Sequence, residues 1–64
     1  MHFTKREIDI IDMLKFGFSN SEIANKLNIS HNTVKLHISN LFYKTNSINR
    51  ANLLYNLFVN GYFK

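Results

Sequence analysis

The side chains best suited to chemistry lie on one face of a helical segment that spans residues 31 to 44. At about 100° per residue, five of them fall within about 100° of one another on a helix. They are Asn32, Lys35, Leu36, Ser39 and Tyr43. The amide suits an adenine edge, the cation suits O6 and N7 of guanine, and the leucine suits a thymine methyl group in the major groove of DNA. Solvation alone would account for Asn32 and Lys35, but Leu36 and Tyr43 would be unfavourable on a face that met only water. The face is therefore predicted to contact DNA.

The start of the same segment is suited to a phosphate. Ser30, His31 and Thr33 bring hydroxyl and backbone N–H groups to a helix N-terminus, where the helix dipole is positive. Groups of this kind fix the register of a protein on the duplex without reading its sequence. We therefore expect phosphate contacts at the first turn and base contacts along the helix.

The opposite face of this helix is apolar and must be buried. Val34, Ile38 and Leu41 recur at i, i+4 and i+7, which is the spacing of one helical stripe. Ser30 precedes them as an N-cap. The buried stripe determines which face is left free for a ligand.

A shorter helix precedes this one across a tight turn. Ser19 and Glu22 have the spacing of a capping box, in which the hydroxyl and the carboxylate each satisfy one backbone N–H group. Asn28 is expected to end the helix, because asparagine tolerates the left-handed backbone found there. Two helices joined in this way predict a helix-turn-helix. The apolar stripe of the shorter helix consists of Ile23, Ala24 and Leu27.

The N-terminal helix is predicted to run from about Lys5 to Phe16. Gly17 follows it and is expected to take the left-handed conformation of a helix end. Phe16 and Phe18 flank this corner and are expected to anchor it in the core. The buried face of the helix consists of Ile10, Ile11 and Leu14.

Glu7 is a carboxylate on the apolar side of that helix. Thr4 and Glu7 form a second capping box, and a carboxylate in this position needs a partner. The capping role is favoured over a buried ion pair with Arg50 or Lys44.

A fourth helix is predicted from Arg50 to about Asn60. Asn49 can cap its start and Gly61 can close it. The preceding loop, residues 45 to 49, is polar apart from Ile48, which is expected to plug into the core.

The fourth helix has two apolar sides. One stripe is expected to cover the core, and the other, about 100° away, is expected to pair with a second copy of the chain. The first stripe consists of Ala51, Leu54, Tyr55 and Phe58; the second, assigned to the dimer interface, consists of Leu53 and Leu57.

Composition narrows the classes of function. Sixty-four residues make one domain, with little room for a deep active-site pocket. Eight Lys and Arg against four Asp and Glu give a formal charge of +4, which favours a polyanionic partner. The chain has no cysteine, no apolar leader and no apolar run of membrane-spanning length, so the cytoplasm is the expected compartment.

Neither a metal site nor an enzyme is predicted. His31 and His37 differ by six residues and therefore lie about 240° apart on a helix, whereas paired ligands on one helix usually stand at i and i+4. His2 is the third histidine. The chain has no nucleophile motif and no glycine-rich phosphate loop, so no cofactor is expected.

The chain also resembles the DNA-binding domain of the LuxR/FixJ/GerE (NarL-type) transcription regulators, over residues 3 to 63. The matching segments are FTKRE (residues 3 to 7), GFSNSEIANKL (17 to 27), IS (29 and 30) and TVKLH (33 to 37), with Asn40, Lys44, Arg50 and Gly61. The resemblance implies four helices, with the third in the major groove and the fourth making a symmetric dimer. It implies base contacts from Lys35, Leu36 and Ser39, and phosphate contacts at or near Asn20, Thr33, His37 and Lys44.

Together these patterns predict an all-α, four-helix helix-turn-helix domain over residues 1–64, winged-helix-like without a wing. Its expected partners are double-stranded DNA with a pseudo-palindromic site, a second copy of the chain and RNA polymerase. The alternative is a protein-interaction module that docks on another regulator or on polymerase through Leu53, Leu57, Leu36 and Tyr43. The sequence leaves open whether the chain is a stand-alone regulator or the C-terminal part of a longer one; the position of Met1 slightly favours the former.

Overall fold

The computed structural model describes residues 2–62, which form four helices and no strand. The helices are α1 (Lys5–Lys15), α2 (Asn20–Leu27), α3 (His31–Thr45) and α4 (Arg50–Val59). The predicted all-α class is confirmed. The four predicted helices agree with these bounds to within one residue at the ends that were specified.

Each helix begins at a polar N-cap that accepts a hydrogen bond from the backbone N–H group three residues further on. The oxygen-to-nitrogen distances are 3.1 Å at Thr4, 3.2 Å at Ser19, 3.0 Å at Ser30 and 2.8 Å at Asn49. Both predicted capping boxes are complete. The N–H groups of Thr4 and Ser19 each donate to the glutamate three residues on, at 2.8 Å.

All four helices also end in the same way. The residue beyond the last turn has a positive φ, and the next N–H group reaches back five residues to a carbonyl oxygen, at 2.9 to 3.1 Å. This is the Schellman arrangement, which satisfies the last carbonyl groups of a helix. The left-handed residues are Gly17, Asn28, Asn46 and Gly61.

The core is built around α3, which packs against each of the other three helices. The predicted buried stripe of α3 is confirmed, because Val34, Ile38 and Leu41 are all buried. The other buried apolar residues are Ile10, Ile11 and Leu14 of α1, Ile23 and Ala24 of α2, and Leu53 and Leu57 of α4.

The assignment of the two sides of α4 was wrong. Leu53 and Leu57, expected at a dimer interface, are 0% exposed and lie in the core. Tyr55 and Phe58, expected in the core, are 63% and 62% exposed. Ala51 is exposed with them, while Leu54 packs partly against the core.

The polar residue Asn56 explains this reversal. It lies on the Leu53 side of the helix, which made that side look solvated in the sequence. In the structure its amide Nδ2 donates to Ser47 Oγ at 2.9 Å and to the Thr45 carbonyl oxygen at 3.3 Å. Because the end of α3 satisfies this amide, it can lie at the edge of the core, and the neighbouring leucines turn inward.

Two more expected core residues are exposed. Ile48 is 85% exposed instead of plugging into the core, and Phe16 is 72% exposed. Phe16 is the C-cap residue at which the chain leaves α1, and the Lys15 ammonium lies 5.6 Å from its ring centre. Phe18, the other expected anchor, does pack against the core.

Candidate nucleic-acid interface

α3 presents a free outer face along its length because its inner face is held by three helices. The fifteen residues of this helix span about 22 Å at about 1.5 Å per residue. With Val34 and Leu41 fully buried, the helix cannot rotate without opening the core. The core therefore fixes the orientation of the outer face.

The five side chains predicted to meet DNA bases are all exposed and share this face. Leu36 is 60% exposed and Tyr43 is 89% exposed. Within residues 2–62, neither side chain is part of the core or packs against it. The set consists of Asn32, Lys35, Leu36, Ser39 and Tyr43.

The first turn of α3 contributes hydroxyl groups and an imidazole ring. Ser30 Oγ caps the helix by accepting from the Thr33 N–H group, and it lies 2.7 Å from the Thr33 hydroxyl. His31 is exposed, whereas His37, about 1.7 turns further on, is half-buried.

Asn20 opens α2 and lies beside the start of α4. Its Oδ1 accepts a hydrogen bond from Arg50 Nη1 at 2.8 Å. Arg50 Nη2 donates to the Phe18 carbonyl oxygen at 2.5 Å. The Asn20 amide, expected at or near a phosphate, is thus held by a residue that is 30 positions away in the chain.

Lys44, which is also expected near a phosphate, is held by the N-terminal part of the chain. Its Nζ donates to Glu7 Oε1 at 2.6 Å and to the His2 carbonyl oxygen at 3.3 Å. It also lies 5.9 Å from the centre of the Phe3 ring. About a third of its side chain stays exposed.

Glu7 has both of the roles that the sequence set against each other. Its Oε1 accepts from the Thr4 N–H group as a capping box requires, and it also accepts from Lys44. Burial raises the pKa of Glu7, but the hydrogen bonds from Lys44 and Thr4 outweigh it, so the pKa lies below its ordinary value. The Glu7 carboxylate is therefore charged at neutral pH.

The acidic side chains of the chain lie on α1 and α2. The chain's four carboxylates are Glu7, Asp9 and Asp12 of α1 and Glu22 of α2, so α3 has none. Glu22 is engaged in the Ser19 capping box, and Asp9 lies 3.9 Å from Arg6. A phosphate backbone approaching α3 would meet Lys35 without an opposing carboxylate on that helix, which suits a polyanion.

Sequence reasoning missed the part that Arg50 plays in this surface. The only side-chain partner that the sequence suggests for Arg50 is Glu7, whereas in the structure its guanidinium group donates to Asn20 and Phe18. No local pattern indicates this contact, because it depends on how the starts of α2 and α4 meet in the folded chain. Among residues 2–62, no group of three potential metal ligands comes together, and none of the helices has the length and hydropathy needed to span a membrane.

A short α2, a left-handed turn at Asn28 and an α3 with an exposed, carboxylate-free outer face define a helix-turn-helix. Comparison with known proteins gives the family. The model of the bacterial regulatory proteins of the luxR family matches residues 1–56. The chain belongs to that family.

Individual relatives agree with this assignment. The chain is 51% identical over 48 residues to the nitrate/nitrite response regulator protein NarP of Escherichia coli (strain K12), and 53% identical over 48 residues to the CsgBAC operon transcriptional regulatory protein of the same strain. Each match covers 75% of this chain and 22% of the relative. The HTH-type transcriptional regulator MalT of Vibrio cholerae is 43% identical over 47 residues, which are 73% of this chain and 5% of MalT. The matched segment is thus about a fifth of the first two relatives.

Proposed function

We propose that this domain, residues 1–64, binds double-stranded DNA sequence-specifically by placing α3 in the major groove. The observation that carries the proposal is the outer face of α3, where Lys35, Leu36 and Tyr43 are exposed on a helix fixed by its buried side. An α-helix fits the major groove, and these side-chain types match base edges there. Asn32 and Ser39 complete the reading face.

Residues of α3 and the start of α2 supply the proposed phosphate contacts. Ser30, Thr33 and His37 would approach one strand from α3, and Asn20 would approach from α2. Lys44 adds a cation at the other end of α3, beside Glu7. In this arrangement the base-reading face lies between groups that hold the backbone.

We further propose that two copies pair through the exposed side of α4. Leu53 and Leu57 cannot serve, because both are in the core. The exposed stripe at i, i+4 and i+7 consists of Ala51, Tyr55 and Phe58, and exposed aromatic rings of this kind favour a protein interface. The Cα trace is 29 Å in its longest dimension, less than the roughly 34 Å turn of DNA, so reading two adjacent turns would take two copies. Two-fold pairing of the copies would match a pseudo-palindromic site.

Regulation of transcription is the proposed outcome of this binding. The relatives named above are called regulators, and a domain that recognises chromosomal DNA would act in the cytoplasm. The alternative function is a module that docks on another regulator or on RNA polymerase through four apolar residues. Two of them, Leu53 and Leu57, are buried and therefore cannot contact a partner. A contact with polymerase would come in addition to DNA binding.

Selection of bound duplexes from a random DNA pool, followed by a salt titration, tests the proposal. The selected sequence should bind more tightly than random DNA, and log K should fall with log salt with a slope of about −0.9 for each neutralised phosphate. No enrichment, together with salt-insensitive binding to a protein, would support the docking module instead.

The pairing of two copies has its own test. Phe58→Asp should leave binding to one half-site unchanged and abolish cooperative loading of two half-sites on one duplex. Ile8→Asp is the matched control, because Ile8 is a half-exposed apolar residue on α1 and should leave cooperative loading intact. Cooperative loading by the Phe58 variant would mean that the pairing surface lies elsewhere.

A further inference from the structure

Arg50 ties the start of α4 to the start of α2 through two hydrogen bonds. Nη1 donates to Asn20 Oδ1 at 2.8 Å, and Nη2 donates to the carbonyl oxygen of Phe18 at 2.5 Å. Phe18 precedes the N-cap Ser19, and Asn20 is the first residue of α2. A single half-buried guanidinium group therefore holds both sides of the α2 N-terminus.

The chemistry of this contact fixes which way the Asn20 amide faces. A guanidinium group has only donors, so it can bind the amide oxygen but not the amide nitrogen. With Oδ1 turned toward Arg50, the NH₂ group of Asn20 is the group left to meet a ligand. The same side chain turned over would present its oxygen, which repels an anion.

We infer that Arg50 is a positioning residue for DNA binding, which holds the Asn20 amide so that its NH₂ group donates to a phosphate oxygen. This inference rests on the proposed function. Arg50 does not touch DNA in this account. It acts by fixing the Asn20 amide before binding, so that the side chain does not lose conformational entropy when the duplex binds.

The first test removes the Asn20 donor and keeps the contact with Arg50. Asn20→Asp retains an oxygen for the guanidinium group, and a carboxylate at a helix N-terminus is favourable, so thermal stability should be maintained. Half-site binding should weaken at least tenfold, because a donor to a charged group is lost and a negative charge replaces it. The matched control is Asn25→Asp, which makes the same charge change on an exposed position of α2 about 140° away and should alter binding less than threefold.

The second test is a double-mutant cycle on half-site affinity, with unfolding followed separately. Arg50→Ala and Asn20→Ala should each weaken binding by about tenfold, and the double variant should bind no more weakly than either single one. The Arg50 variant should also lose the DNA-induced shift of the Asn20 side-chain amide in NMR spectra. A structural role alone would give effects that multiply and an amide shift that persists.

The outcomes separate the inference from the proposed function. If the unaltered domain binds its selected duplex and the cycle effects multiply, or if Asn20→Asp binds as well as the control, the positioning role of Arg50 is wrong and DNA binding stands. If the unaltered domain binds no duplex in preference to random DNA at low salt, both proposals fail. If Arg50→Ala does not fold, the comparison of Asn20→Asp with Asn25→Asp still decides whether the Asn20 donor is used.

Discussion

Truncating Leu57 should destabilise the domain far more than truncating its neighbour Phe58. Leu57 is 0% exposed, whereas Phe58 is 62% exposed. Truncating a buried leucine to alanine costs about 2 to 5 kcal/mol, because transfer energy is lost and a cavity remains. Truncating an exposed side chain usually changes the free energy of unfolding by less than about 0.5 kcal/mol.

This difference is large for so small a protein. At about 0.05 to 0.15 kcal/mol per residue, a 64-residue chain has a free energy of unfolding of roughly 3 to 10 kcal/mol. Leu57→Ala would therefore remove a large part of it. Leu57→Met keeps most of the volume and should cost less than about 1.5 kcal/mol, so it reports on the site even if the alanine variant does not fold.

Urea unfolding followed by far-ultraviolet circular dichroism measures these differences. The expected order of stability is Phe58→Ala, then Leu57→Met, then Leu57→Ala. If Phe58→Ala proved less stable than Leu57→Ala in the isolated monomer, the side of α4 that faces the core would have been assigned wrongly.

Two further predictions concern the pair formed by Glu7 and Lys44. The pKa of Glu7 is lowered in the folded chain, so its contribution to stability should be full above its unfolded pKa of about 4.3 and lost as the pH falls through the lower folded value. Thermal unfolding between pH 7 and 3 should show this loss of stability. Glu7→Gln should make the stability depend less on pH. Lys44→Ala should lower the free energy of unfolding by about 1 to 3 kcal/mol, because it leaves a buried carboxylate without its cation, and it should weaken all DNA sequences alike with a salt slope smaller by about 0.9. An unchanged salt slope in that variant would limit Lys44 to its contact with Glu7.

The local features of this fold could be predicted from the sequence because each depends on a few neighbouring residues. Ser19 and Glu22 make a capping box through groups three residues apart. Asn28 takes the left-handed conformation that ends α2. Val34 and Ile38 are buried because their spacing matches one turn of helix. Local chemistry sets the bounds of the helices and the inner face of α3.

The remaining features depend on contacts between distant parts of the chain. The inner side of α4 could not be chosen by counting apolar residues, because Asn56 is satisfied by the end of α3. Glu7 contacts Lys44, which is 37 positions away in the chain, and Arg50 contacts Asn20, which is 30 positions away. Contacts over such long separations leave no periodic pattern in the sequence from which they could be predicted. The exposed outer face of α3 was predictable, because it is the complement of a regular buried stripe, while the contacts that hold Asn20 and Lys44 were not.

The proposed reading of base pairs by the outer face of α3 is tested by Lys35→Ala. Affinity should be measured on the selected duplex, on duplexes altered at one base pair and on random DNA, with Lys5→Ala as a control for the loss of one exposed positive charge. If Lys35 reads a guanine edge, the variant should lose about 1 to 3 kcal/mol on the selected duplex and lose its preference at one base pair. Equal losses on selected and random DNA, matching those of Lys5→Ala, would contradict the assignment of α3 as the reading helix.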